Sequence, residues 1–296
     1  MVLATMGEFF LITGTGKTGT SWLAEALDHP KAGIVCWDEG KFPRPNRVRE
    51  RLRRFRFLRQ LWTRYRQGHQ WLESVDNRFL GRDTWLDYAE YEVEHGLGPR
   101  FDEYFGAIES RMKRYAAVGD SHSWDPHTIP QVTERISVSR VIHLVRNGIP
   151  NVHALATHNA ELFERSPIIR RQIDRYREIF GGECANSWEY WCFWWSINSL
   201  VPDWLRANLP DIPVDVYRLE DLTGHISHLE GIIESLNPGG LGNVSGLLKI
   251  QGKNDNRDQT GDQSPSDIWE RWTDEQRSAF RRICGDAMEH YGYQMP

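Results

Sequence analysis

Short apolar runs alternate with segments whose apolar residues recur at helical spacing along most of this chain. Five of the runs have the length and composition of buried strands. They span residues 9–13, 33–37, 115–119, 140–145 and 213–218. Turn or helix signals follow each run, and this alternation is typical of a parallel sheet covered by helices on both faces. We therefore predict a three-layer α/β/α fold with a central, mainly parallel sheet of about five strands.

Two regions interrupt the alternation. Residues 41–114 have a helical pattern that is rich in arginine and aromatic residues, which predicts a helical insertion. Residues 249–267 are polar and contain glycine, which indicates a loop before the last helices. The start of the final helix is marked by a capping box, in which Thr273 precedes Gln276 by three positions. Together these patterns predict one domain that spans residues 1–296.

The composition restricts the class of protein. The chain has 296 residues, of which 40% are hydrophobic, enough to bury one large core. No segment approaches the ~18 uncharged apolar residues of a membrane span, and the N-terminus lacks the pattern of a signal peptide. The four cysteines have no metal-ligand spacing and indicate free thiols in a reducing compartment, so we expect a cytoplasmic protein. A net charge of −5 argues against general nucleic-acid binding.

The most specific stretch is "ITGTGKTGTSW" at residues 12–22, which follows the first predicted strand. Its G-K-T segment has the ending of a nucleoside-triphosphate-binding loop, but Leu11 occupies the position where that pattern requires the first glycine. In the frame that does fit, the strand ends near Thr13 and a helix begins around Thr20. Backbone N–H groups of the loop, the helix N-terminus and the Lys17 cation then face one anionic group.

Three polar segments follow predicted strands and are expected to meet. The loop follows the first strand, "GDSHSWD" follows the third, and Arg146 follows the fourth. In parallel α/β sheets, ligands bind beyond the carboxyl ends of the strands. The sequence therefore predicts the functional site at this edge of the sheet.

Residues 17–22 match, position for position, the first motif of a known enzyme family. That motif reads P-K-[ST]-G-[TS]-[TS]-W after a strand, and the chain has K-T-G-T-S-W, with glycine in place of the proline. The chain thus resembles the sulfotransferases that depend on 3′-phosphoadenosine 5′-phosphosulfate (PAPS). The resemblance implies a P-loop-containing nucleotide-binding fold, in which this motif binds the 5′-phosphate and the tryptophan stacks on the adenine. The nucleotide-binding residues that it implies are Gly16, Lys17, Thr18, Gly19, Thr20, Ser21 and Trp22.

A second motif extends the resemblance. The stretch "RVIHLVRNGIPNVHAL" resembles the segment with which the family binds the 3′-phosphate, and it implies that role for Arg146. The chain departs from the motif at three positions. Gly148 and Asn151 replace a proline and an aspartate, and Ala154 replaces a serine.

Two C-terminal stretches resemble further parts of the family. "VDVYRLEDL" is similar to a strand that ends in Y-E-D-L, with Leu219 at the tyrosine position that usually faces the adenine. The loop at 249–267 resembles the basic, glycine-containing loop that closes over the nucleotide. Lys253 and Arg257 are its implied phosphate contacts.

The implied reaction is transfer of the sulfuryl group of PAPS to a hydroxyl or amine of an acceptor, which leaves PAP and needs no metal. Lys17 would neutralise the leaving oxygen. His122 matches the histidine base of the cytosolic branch, although Asp120 replaces a nearby lysine, and Glu39 resembles the glutamate base of the carbohydrate and bacterial branches. We favour His122, because a reference pKa of ~6.5 suits proton removal near neutral pH. The acceptor is a small molecule, a carbohydrate or a lipid.

Two other functions fit the same fold class. A P-loop kinase would need an acidic Mg²⁺ ligand at a strand end, and Glu220-Asp221 is the nearest candidate. A non-catalytic nucleotide-binding protein would account for the departures at Gly148, Ala154 and Leu219.

The segment between Arg44 and Arg66 contains ten arginines and one acid, Glu50. Apolar residues recur there at helical spacing, so one interpretation is an amphipathic helix with a solvated basic face. The other is a basic wall that attracts an anionic acceptor or docks on an acidic membrane surface. The sequence leaves both interpretations open, as it does the oligomeric state.

Overall fold

The computed structural model describes residues 6–38, 99–121, 129–158, 176–240 and 264–296, together with positions 174 and 242. The strands are β1 (Glu8–Thr13), β2 (Ile34–Asp38), β3 (Ala117–Ser121), β4 (Val138–Val145) and β5 (Val214–Arg218). The helices are α1 (Thr20–Leu27), α2 (Pro99–Met112), α3 (Ile129–Arg135), α4 (Gly148–His158), α5 (Ser187–Ser196), α6 (Val201–Asn208), α7 (Leu219–Gly224), α8 (Ile226–Leu236), α9 (Pro265–Arg271) and α10 (Asp274–His290). Short 3₁₀ turns lie at Pro30–Ala32 and Ile197–Ser199.

The five strands form one sheet in the order β2-β3-β1-β4-β5, and every neighbouring pair is parallel. Each of the five strands predicted from the apolar runs is present, and its ends lie within two residues of the predicted ones. The predicted α/β fold class is therefore confirmed.

One face of the sheet packs against α1, α7 and α8. Fully buried residues of β1 and β4, such as Ile12, Ile142 and Leu144, join apolar side chains of these helices in one core cluster. Side chains alternate between the two faces of a strand, so His143 points to the opposite face. There it lies beside Asn198, in the turn after α5. Helices α4 and α10 each pack against α5 in that layer.

Capping boxes mark the starts of the last two helices, α9 and α10. The predicted capping box at Thr273 is confirmed, because its side chain accepts from the Gln276 N–H and the Gln276 side chain accepts in return. A second capping box joins Ser264 and Asp267 at the start of α9, which Pro265 opens. The last residues of the predicted 249–267 loop therefore belong to this helix.

The chain divides into two compact units. One comprises Met1–Asp38 and Tyr104–Pro296 and contains the sheet, and the other comprises Glu39–Glu103. Most of the predicted insertion at 41–114 lies outside the described residues, and its described end is helical in α2. Among the residues that the structure describes, no helix has both the length and the apolar content needed to cross a membrane.

The strand order places a crevice between β1 and β4. After β1 the chain runs to β2 on one side of the sheet, whereas after β4 it runs to β5 on the other side. Neighbouring parallel strands whose connections diverge in this way leave a gap at their carboxyl ends, and ligands of open α/β sheets bind there. We therefore expect the functional site at the segments that follow β1 and β4.

The buried histidine predicts a pH dependence of stability. Burial lowers the pKa of His143 from its ordinary value of 6.5 to about 4, so the unfolded chain binds a proton between these pH values and the folded chain does not. We expect this group to destabilise the fold by about 3 kcal/mol as pH falls from 7 to 4. Urea unfolding of wild type and His143→Gln at both pH values measures the difference. Equal acid losses in the two proteins would contradict the assignment.

Candidate functional site

The loop at residues 14–19, called the anion loop below, connects β1 to α1 at the crevice. Lys17 has φ 67°, and no other non-glycine residue in the described part of the chain has positive φ. Gly19 follows with φ 96° and caps α1. Left-handed backbone costs a lysine about 1–2 kcal/mol relative to glycine, so the loop holds its cation in a strained conformation. Strain of this kind is often found at functional sites.

The threonines of the loop have different roles. Thr18 is fully buried, and its hydroxyl donates to the carbonyl oxygen of Thr15 at 2.7 Å. Its N–H donates to the same oxygen at 3.3 Å. Thr20 is half-buried and Ser21 is exposed, both in the first turn of α1. The hydroxyl of Thr18 therefore shapes the loop from inside, and Thr20 and Ser21 are the hydroxyls placed where an anion could reach them.

Arg146 follows β4 directly and contacts the anion loop. Its Nη1 donates to the carbonyl oxygen of Lys17 at 3.3 Å. Five residues further on, Asn151 Nδ2 donates to the carbonyl oxygen of Gly16, also at 3.3 Å. The predicted meeting of these two segments is thus observed at the crevice.

The environment of Arg146 fixes its position. Its carbonyl oxygen accepts from the indole N–H of Trp195 at 2.9 Å. Burial lowers the pKa of Arg146, while the nearby Glu220 and Tyr293 oppose that shift. Arginine stays protonated in proteins even so, and a partly desolvated guanidinium at the end of a strand is a strong site for a phosphate.

Both acidic residues after β5 have partners already. Glu220 accepts from the N–H of Asn147 at 2.9 Å and from the hydroxyl of Tyr293 at 2.8 Å. Asp221 accepts two hydrogen bonds from Arg218, at 2.8 and 2.7 Å. Within the described residues, no group of three or more His, Cys, Asp and Glu side chains is arranged to hold a metal ion. These carboxylates stabilise the end of β5, the segment after β4 and the residues that follow α10.

The structure gives physical reasons for two of the sequence departures. A side chain at Gly148 would come within 2.9 Å of the Trp195 ring, so the bulky tryptophan occupies the space that a larger residue would need. A side chain at Gly19 would come within 2.9 Å of Leu219, which therefore packs on the anion loop.

Ala154 lies half-buried on α4 and supplies no hydroxyl. Trp22 is half-buried against the core cluster, which fixes its indole near the start of α1.

Four predicted site residues lie outside the described residues. They are Glu39, His122, Lys253 and Arg257. Glu39 follows the last residue of β2, and His122 follows the last residue of β3. Those two terminal residues, Asp38 and Ser121, are register partners in neighbouring strands. Sequence reasoning did not anticipate the buried Asn198 or Trp195, which contact this site from distant parts of the chain.

No family model and no curated protein matches the sequence. Among solved structures, the chain is similar to a sulfotransferase domain from the curacin biosynthetic pathway, with 14% identity, a TM-score of 0.48 and 99% of each chain covered. It is also similar to a sulfotransferase from Alicyclobacillus acidocaldarius, with 14% identity, a TM-score of 0.47 and 98% of each chain covered.

Proposed function

We propose that this protein is a PAPS-dependent sulfotransferase, which transfers a sulfuryl group to a hydroxyl or amine of an acceptor and releases PAP. The observation that supports this most is the contact between Arg146 and the carbonyl oxygen of Lys17. It brings the two sequence motifs of that family together at the crevice between β1 and β4. A nucleotide with phosphates at both its 5′ and 3′ positions would place one phosphate at each of these motifs.

Each part of the site has a role in this reaction. The anion loop and the N-terminus of α1 would hold the 5′-phosphate, with Thr20 and Ser21 as hydroxyl donors. Lys17 would neutralise the oxygen between phosphorus and sulfur as the S–O bond breaks, and the acceptor oxygen or nitrogen forms the new bond in line. Arg146 would bind the 3′-phosphate. The protein thereby positions the reactants and stabilises charge on the leaving group.

The kinase alternative has less support. A kinase needs an acidic side chain for Mg²⁺ at a strand end, and both candidates, Glu220 and Asp221, already accept hydrogen bonds from neighbouring groups. A non-catalytic nucleotide-binding protein would keep Arg146 and the loop equally well. Such a protein would not need a lysine in strained backbone at this position, because glycine adopts the same conformation without strain.

Binding separates these functions before an acceptor is known. Calorimetric titration and thermal unfolding with PAP, and in parallel with ATP and Mg²⁺, report which nucleotide the folded protein prefers. A ligand at 100 times its Kd stabilises the fold by about 2.7 kcal/mol. We expect stabilisation by PAP that ATP with Mg²⁺ does not match, followed by release of PAP from PAPS when an acceptor is supplied. A preference for ATP with Mg²⁺ would replace the proposal with the kinase.

The identity of the base predicts the pH profile of this reaction. If His122 removes the acceptor proton, kcat falls on the acidic side with an apparent pKa between about 6 and 7. We expect this profile, and a larger loss of kcat in His122→Ala than in Glu39→Ala. Steady-state rates of the three proteins from pH 5 to 8 test it. An inactive Glu39→Ala beside a nearly normal His122→Ala would transfer the role to Glu39 without changing the reaction class.

A further inference from the structure

Asn198 is a fully buried polar residue that touches the anion loop from far away in the sequence. It lies in the 3₁₀ turn Ile197–Ser199 that follows α5. Its Oδ1 accepts from the N–H of Thr15 at 3.3 Å, and its Nδ2 donates to the Thr15 hydroxyl at 2.9 Å. One carboxamide therefore binds both the backbone and the side chain of a loop residue, 183 positions away along the chain.

The contact belongs to a chain of hydrogen bonds. On one side of Asn198, the hydroxyl of Tyr291 donates to its main-chain carbonyl oxygen at 2.6 Å. On the other side, the carbonyl oxygen of Thr15 accepts from the Thr18 hydroxyl at 2.7 Å. Thr18 is the direct neighbour of Lys17. The series of contacts thus runs from Tyr291, at the end of α10, through Asn198 and Thr15 to Thr18, the residue after the strained lysine.

We infer that Asn198 is a positioning residue, which holds the anion loop in its strained, ligand-ready conformation and is itself held in place by Tyr291. The inference rests on the proposed function in so far as the loop's ligand is taken to be the nucleotide. Left-handed backbone at Lys17 persists only if surrounding contacts outweigh its cost. The two bonds to Thr15 supply such contacts from a buried turn.

A carboxamide suits this position because it is neutral. It donates and accepts at once, whereas an aspartate of the same size would place a negative charge beneath a loop that binds an anion. The neighbouring His143 is also neutral at physiological pH. The buried support therefore leaves the positive character of the site to Lys17 and the start of α1.

The test compares Asn198→Ala with a matched control, Asn237→Ala. Asn237 likewise makes a long-range hydrogen bond, from its Nδ2 to the carbonyl oxygen of Ala32 at 2.6 Å, but that carbonyl precedes β2 at the opposite edge of the sheet. We expect Asn198→Ala to weaken PAP binding by about 10-fold or more, as two hydrogen bonds are lost. Asn237→Ala should lower the melting temperature and leave PAP affinity at the wild-type value.

Amide hydrogen exchange tests the same inference without any ligand. The Thr15 and Thr18 N–H groups should exchange about 10-fold faster or more in Asn198→Ala, and at the wild-type rate in Asn237→Ala. Unchanged exchange at both amides, or equal loss of PAP affinity in the two variants, would overturn the positioning role. Wild-type protein that binds no PAP would refute the proposed function, and the exchange result would still decide the role of Asn198.

Three milder variants at two positions keep the test usable if Asn198→Ala does not fold. Tyr291→Phe removes one hydroxyl and should increase exchange at Thr15 by a few-fold. Thr15→Val removes the hydroxyl that Asn198 binds, and Thr15→Ser retains it. Recovery of exchange protection by serine, relative to valine, is expected if the hydrogen bond itself matters. Equal exchange in these two variants would instead assign Thr15 a packing role only.

Discussion

Replacement of Lys17 by alanine is expected to lower kcat at saturating PAPS by about 100-fold or more, by analogy with the loss of a charge-stabilising donor in other enzymes. The physical reason is that negative charge on the leaving oxygen is greatest in the transition state, so a cation placed there matters more for kcat than for binding. Lys17 occupies the turn between β1 and α1, close to the N-terminus of that helix, where the helix dipole favours negative charge.

The backbone at Lys17 allows a sharper version of this test. Since its φ is 67°, Lys17→Gly should relieve strain and stabilise the fold by about 1 kcal/mol, while activity is lost as in Lys17→Ala. Lys31→Ala is the matched control, because Lys31 is exposed in the turn before β2 at the other edge of the sheet. Turnover and urea unfolding of the three variants are measured together. More than about a tenth of wild-type turnover in Lys17→Ala would contradict the proposed role.

Much of the fold could be predicted because its signals are local. Each buried strand is a short apolar run bounded by turn residues, and the alternation with helices implies parallel pairing. The capping box at Thr273 is likewise readable from two residues. The start of α9 inside the predicted 249–267 loop was missed, although Ser264, Pro265 and Asp267 carry the same kind of signal. The loop prediction rests on polar and glycine-containing composition, which does not register the start of a helix.

The site could be predicted only as far as its motifs reach. The anion loop and Arg146 each follow a strand, so their meeting follows from the topology alone. Two other features depend on packing between distant segments. Trp195 fills the space above Gly148 and binds the Arg146 carbonyl oxygen, and Asn198 supports Thr15. No spacing rule connects residues that lie about 50 or 183 positions apart, so these contacts become visible only in the folded chain.

The inward orientation of Thr18 illustrates the same limit. The motif implies a nucleotide contact for every residue from 16 to 22, of which residues 17–22 match the family pattern. In the structure the Thr18 side chain is buried and bonded within the loop, whereas Ser21 is exposed at the start of α1. The Thr18 hydroxyl thus has a role in the shape of the loop that the motif does not reveal.

Arg146→Ala is expected to weaken PAP binding by about 10- to 100-fold, since a charge-assisted contact to the 3′-phosphate is worth ~1.5–3 kcal/mol. The dependence on this arginine should be high because Ala154 offers no hydroxyl at the position where the family has serine. Adenosine 5′-phosphosulfate has no 3′-phosphate and should lose much less affinity. Calorimetric titration of both nucleotides into wild type and variant measures the difference.

The contact between Arg146 and the carbonyl oxygen of Lys17 makes the choice of variant important. Alanine removes the phosphate contact and the support of the anion loop together, so a small loss for adenosine 5′-phosphosulfate is expected as well. Arg146→Gln removes the charge and keeps a shorter side chain with an N–H donor, so it should weaken PAP much more than adenosine 5′-phosphosulfate. Arg140→Ala is the control, since Arg140 lies on the same strand and pairs with Asp215. Equal losses for both nucleotides in Arg146→Gln would exclude 3′-phosphate recognition by this residue and weaken the case for PAPS as the donor.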